Sequence, residues 1–151
     1  MDPAALAAQI KAWGRELGFR KVGVAAIELP DDERHLLEWL AAGRHGTMAY
    51  MQRHGARRAR PAELLPGTVR VIAARMDYWP PGNEPGAVLA DPQLGYVSRY
   101  ALGRDYHKVV RTRLAQLADR VAAAAGASGY RAFTDSAPIL EKALARNAGL
   151  G

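Results

Sequence analysis

The chain has 151 residues, 49% of them hydrophobic and 24% charged, the ordinary globular balance, with length for one core and not for two. It holds no cysteine, which excludes disulfides, thiolate-bound zinc and any iron–sulfur cluster held by this chain alone, and the simplest compartment is the cytoplasm. Its net charge of +6 favours an anionic partner, although the free use of arginine by GC-rich genomes accounts for it as well.

The opening stretch MDPAALAAQIKAWGRELG has no basic head before an apolar block, so it is not a signal peptide. The spacing predicts a helix over 3–17, with Asp2 as N-cap, Pro3 in the first turn and Gly18 just past the end. Leu6, Ile10, Trp13 and Leu17 form its apolar stripe. KVGVAA, 21–26, reads as a strand. Pro30 and Asp31 open a second helix carrying Leu36, Leu37, Trp39 and Leu40, which stops near Gly43, and a short helical piece follows Gly46. RHGARRARP, 53–61, reads as a basic connection, and VRVIAARM, 69–76, as the clearest strand. Residues 79–95 are rich in proline and glycine and read as a long surface loop. YVSRYA, 96–101, reads as extended. Asp105 caps a long helix from Tyr106 to about Ala125, with Val110, Leu114, Leu117 and Val121 on its core face. Its alanine-rich end, 121–125, is far short of a membrane span. YRAFT, 130–134, reads as a further strand, and 138–148 as a last helix ended by Gly149. The order implies an α/β fold, with α+β as the alternative: a mixed sheet sandwiched by helices in a single domain, 1–151.

Three groups of residues carry chemistry. Asp135 stands where an extended run gives way to a helix start, a place where α/β folds present ligand groups. The plainer reading is that Asp135 or Ser136 is only the helix cap. A helix N-terminus stabilises the ionised carboxylate, whereas a proton donor at neutral pH needs desolvation, so an acid role requires a large apolar ligand as cover. In SRYALGRDYHK, 98–108, Asp105, Tyr106 and His107 open a helix with Arg99, Arg104 and Lys108 nearby, which suits a phosphate or simply a capped, solvated end. His107 shares no ligand spacing with His35, His45 or His54, so no metal ligand is assigned. Arg53, His54, Arg57, Arg58 and Arg60 offer a phosphate contact or a solvated loop. The glycines match neither the P-loop nor the dinucleotide fingerprint.

The stretches RHGARRARPAELLPGTVRVIAARMDY, GYVSRYALGRDYHKVVRTRL and FTDSAPILEKALARNAGLG, in this order, resemble the N-terminal half of the epoxyqueuosine reductases. The resemblance implies an oxidoreductase that reduces epoxyqueuosine to queuosine at the wobble position of tRNA. It implies a bound cobalamin and two [4Fe–4S] clusters, the latter on cysteines of a C-terminal half that follows "AGLG" in the family. It implies a tRNA partner, no membrane and a monomeric full-length protein. The aspartate of "DSAP", here Asp135, is then the proton donor, with the corrin as its roof. Arg58, Val97 and Ser98 are implied to line the cofactor, with Asp105 and His107 organising the same site. The chain is expected to be a truncated half, without cluster ligands and unable to turn over alone. The readings that compete with this one are a non-catalytic basic RNA-binding domain and a flavin-binding reductase.

Overall fold

The computed structural model describes residues 2–79, 81–126 and 129–150, and in them seven α-helices and two strands follow one another along the chain. Pro80 of the predicted loop and the closing Gly151 lie outside these residues. The first helix, α1, spans Pro3–Glu16. The Asp2 carboxylate accepts the Ala5 N–H at 3.0 Å, satisfying one donor that a helix start leaves open. Gly18 takes the positive φ of 82° that turns the chain back, and the Phe19 N–H closes on the Gly14 carbonyl.

Strands β1 (Lys21–Ala25) and β2 (Val71–Arg75) pair antiparallel, with Val22 opposite Ala74 and Val24 opposite Ile72. Alternate side chains leave opposite faces. On one face Val22, Ile72 and Ala74 meet α1 and the long helix α6 (Tyr106–Ala125). Ile10, Phe19, Val22 and Leu117 form the buried centre there, ringed by Leu6, Trp13, Leu17, Val110, Leu114 and Val121. Both stripes read from the sequence therefore converge on one core. The other face carries the last helix, α7 (Glu141–Asn147), whose Ala143 and Leu144 are buried beside Leu29 and Ala59. Gly23 makes this packing feasible, because a Cβ there would lie 2.1 Å from the Ala148 carbonyl oxygen.

Helices thus cover both faces, as the sequence implies, but among the described residues the sheet is a two-stranded antiparallel pair. Residues 96–101 are not a strand and end in a 3-10 turn, Arg99–Ala101, while 130–134 run irregularly. Their tyrosines and valine carry strand propensity, but that propensity reflects packing on a pleated surface, and neither segment joins the pair. Side chains hold them instead. Arg99 lies over the Trp79 ring at 4.7 Å and donates to the Asn83 carbonyl, and Tyr130 donates to Asp119 on α6. The long loop contains a short helix, α5 (Pro85–Ala90).

The basic stretch 53–61 is no loose connection. It comprises the end of α3 (Ala49–His54), a 3-10 turn (Gly55–Ala59) and the start of α4 (Pro61–Leu64), with Arg58 and Ala59 buried. Beside it, α2 (Pro30–Ala41) opens on Asp31, Asp32 and Glu33. Arg60 forks onto Glu33 at 2.6 and 3.0 Å, and Arg146 of α7 onto Asp32 at 2.8 and 3.1 Å, so three distant segments meet at one helix end. No helix of the described residues is long and apolar enough to cross a membrane.

Candidate functional site

The start of α6 and the loop before α7 bring four polar side chains together. Asp105 caps α6: its Oδ1 accepts the His107 backbone N–H at 3.0 Å and lies 3.0 Å from the ring Nδ1 of the same residue. With Nδ1 on Asp105, Nε2 is directed to Asp135, 3.6 Å from Oδ2. The Tyr106 hydroxyl donates to that same Oδ2 at 2.6 Å. Its ring stacks on His107 with centroids 4.0 Å apart and meets the edge of Tyr100 at 5.8 Å. The polar groups form a line rather than a cage, and among the described residues no group of three or more His, Asp or Glu could hold a metal ion.

Asp135 has a backbone φ of 57°, the one non-glycine residue with positive φ among those described. Aspartate tolerates this left-handed region better than most residues, yet such conformations carry a cost and gather at functional sites. It is not a helix cap. Helix α7 begins at Glu141, six residues on, behind Leu140 and without a side-chain cap. The predicted start at Pro138 fails because the intervening backbone donors bond elsewhere: Ile139 N–H to Ala137 and Leu140 N–H to Arg58. The helix end that Asp135 meets is that of α6.

The electrostatics follow from these contacts. The hydrogen bond from the His107 ring, joined by that from its backbone, lowers the Asp105 pKa. The hydrogen bond to Asp135, with some desolvation, pushes the Tyr106 phenol up to about 12, so it stays a donor at neutral pH. Glu141 keeps solvent contact as a residue, but desolvation of its carboxyl and the nearby Asp135 charge raise its pKa, against the Asp135 backbone N–H bonded to it. The Asp135 side chain itself is 51% exposed.

The Asp105 shift sets a pH dependence. Its folded pKa lies below the ordinary 3.8, so its contribution is whole above that value and is lost as pH falls through the lower one. On acidification below pH 3.8, the amide of His107 loses hydrogen-exchange protection before that of Leu117. Equal loss at both positions would show that the cap does not hold the start of α6.

The other residues expected at the site are divided. Val97, 54% exposed, and the exposed Ser98 precede the turn that sets Tyr100 against Tyr106, so they adjoin the cluster. Arg58 does not join it through its side chain. It is 9% exposed, and its guanidinium donates to the Tyr50 and Met51 carbonyls. Arg57 pairs with Glu63, and Arg60 with Glu33 and Glu63, so most of the arginine cluster read as a phosphate contact is engaged within the fold. The sequence places Tyr106 only in the helix-opening group, without tying it to Asp135, and gives Glu141 no role. Glu141 lies close to Asp135 in the chain and could have been found there, but Tyr106 is 29 residues away and needed the fold.

The family profile described as "Epoxyqueuosine reductase QueG, DUF1730" matches residues 58–136, just over half of the chain, with Arg58 and Asp135 both inside the match. The chain belongs to the epoxyqueuosine reductase family. The epoxyqueuosine reductase of Pseudomonas aeruginosa is 61% identical over 150 residues, which cover 99% of this chain and 42% of that protein. That of Vibrio cholerae is 56% identical over 151 residues, 100% of this chain and 41% of that protein. A crystal structure of selenomethionine-labelled epoxyqueuosine reductase superposes with a TM-score of 0.76 at 18% identity, over 99% of this chain and 40% of that one, and so shares the fold. The chain spans about two fifths of the length of its epoxyqueuosine reductase relatives.

Proposed function

We propose that this chain is the part of a cytoplasmic epoxyqueuosine reductase that supplies the acid: epoxyqueuosine in tRNA is reduced to queuosine, and Asp135 protonates the departing oxygen. The reading is carried by Asp135 itself, held at φ 57° on a loop and oriented through Oδ2 by the Tyr106 hydroxyl. A protonated oxygen leaves far more readily than an alkoxide, which is the task of a general acid.

The family resemblance also implies cobalamin, and the residues present fit a broad apolar group lying on an open face. Tyr96, Val97, Tyr100 and Leu102 are exposed within residues 96–102, and Tyr100 touches the tyrosine that holds Asp135. None of them lines the cavities of about 80 and 370 Å³ found elsewhere in the described residues. The cover that the acid needs therefore comes from the ligand or from the family's remaining length. Val97, Ser98, Asp105 and His107 would hold the group, with Arg58 bracing the loop from beneath. When bound, cobalamin supplies electron transfer to the substrate, replenished by two [4Fe–4S] clusters in that remaining length, since this chain has no cysteine.

The test uses a chimera in which this chain replaces the matching segment of the Pseudomonas aeruginosa relative. Hydroxocobalamin is retained by the chimera through gel filtration, and Val97→Asp cuts retention at least about tenfold by setting a charge against an apolar ligand. A flavin spectrum in the purified chimera, or no retained corrin, overturns the cobalamin reading.

A further inference from the structure

The run Asp105-Tyr106-His107 does more than begin a helix. One oxygen, Asp105 Oδ1, meets both the backbone N–H and the ring Nδ1 of His107, each at 3.0 Å, so capping the helix and choosing the imidazole tautomer are one event. Stacking on Tyr106 at 4.0 Å keeps the ring in that plane. The remaining nitrogen, Nε2, lies 3.6 Å from Asp135 Oδ2, and 52% of the His107 side chain is exposed in this chain, enough for one edge of the ring to reach water beside a bound group.

We propose that His107 reprotonates Asp135 from solvent, with Asp105 and Tyr106 as positioning residues for the imidazole and the carboxyl. The inference rests on Asp135 being the acid of the proposed function. Asp135 gives its proton to the departing oxygen and is left as a carboxylate. The Nε2–H bond of imidazolium His107 then breaks as an O–H bond forms on Asp135. The ring is left neutral with its proton on Nδ1, against Asp105, and water returns a proton to Nε2. The net result is one proton carried from water, which leaves as hydroxide, to the departing oxygen, and no electron moves in the relay. A half-turn of the carboxyl, whose torsion is soft, presents the new proton outward. At 3.6 Å the transfer needs a small approach or one bridging water. The charged and titratable groups around the ring are Asp105, Tyr106 and Lys108 on α6, and Asp135 with Glu141 from the α7 side.

The chimera tests this with His107→Gln, which keeps hydrogen-bonding capacity and cannot titrate. Its kcat falls by roughly 10²-fold with KM unchanged, and the alkaline decline of kcat that follows imidazole deprotonation disappears. Added imidazole restores turnover to His107→Ala. Asp105→Asn, which keeps an N-cap acceptor, also lowers kcat, and ¹⁵N shifts of the neutral parent ring show its proton on Nδ1. Should His107→Gln fail to fold, the Asp105→Asn rate and the ¹⁵N tautomer still decide. Parental kcat and pH profile in His107→Gln, with Asp135→Asn inactive, overturn the relay alone, as does a neutral ring protonated on Nε2. An active Asp135→Asn overturns the acid assignment and the relay with it.

Discussion

Asp135→Asn, introduced into the chimera, lowers epoxyqueuosine reduction by about 10²–10⁴-fold, the usual contribution of a positioned general acid. The substitution isolates the proton. Asparagine keeps an oxygen for the Tyr106 hydroxyl, and it tolerates the left-handed backbone that Asp135 adopts at φ 57°. The loop therefore holds its shape while the side chain loses its acid. Binding of tRNA, measured by filter retention, stays within about twofold of the parent, since one side chain is altered and contacts to phosphates supply most of the affinity of nucleic-acid binding. Unimpaired reduction overturns the acid role. Lost tRNA affinity with reduction unaltered per bound tRNA instead marks the residue as a docking contact, and the domain as an RNA-binding module.

Leu144→Ala costs about 2–5 kcal/mol of stability, the range for emptying a buried leucine site. Leu144 is 2% exposed and centres the cluster with Leu29, Ala59 and Ala143. The site cannot collapse easily, because the Ala148 carbonyl sits against Gly23 of β1 and the Arg146 fork ties α7 to Asp32. A domain of this size has about 5–15 kcal/mol in all, so the variant loses a large share of it. Urea denaturation of the chain and the variant reads the difference as a lower midpoint with similar slope. A shift worth less than about 1 kcal/mol would show that α7 is not anchored through this side chain.

The helices were legible wherever a cap and a stripe agreed. Asp2 and Asp105 are the caps their positions suggest, and the faces of α1 and α6 meet as their periodicity requires. The extended run at 96–101 and the strand expected at 130–134 stay outside the sheet because aromatic content signals a half-buried surface, not hydrogen bonding to a neighbour. The arginines at 57–60 looked like surface charge because their partners, Glu33 and the Tyr50 and Met51 carbonyls, come from outside the cluster or from backbone. The acid itself stood out through the family motif. Its surroundings did not: the phenol and imidazole that orient it are set by how α6 crosses the loop, which no spacing along the chain records.

The acid-bearing loop is moored at two points. Tyr106 grips it at Asp135, and the Arg58 carbonyl takes the Leu140 N–H at its far end, on a turn whose own guanidinium is fastened to the Tyr50 and Met51 carbonyls. A span of so few residues between two moorings has little conformational freedom left to surrender when a substrate arrives. Its entropy is lost once, when the polypeptide folds, rather than at each binding event. Under the acid role proposed for Asp135, a change at Arg58 registers as a slower rate through a slackened loop, with the carboxyl still present but aimed less steadily.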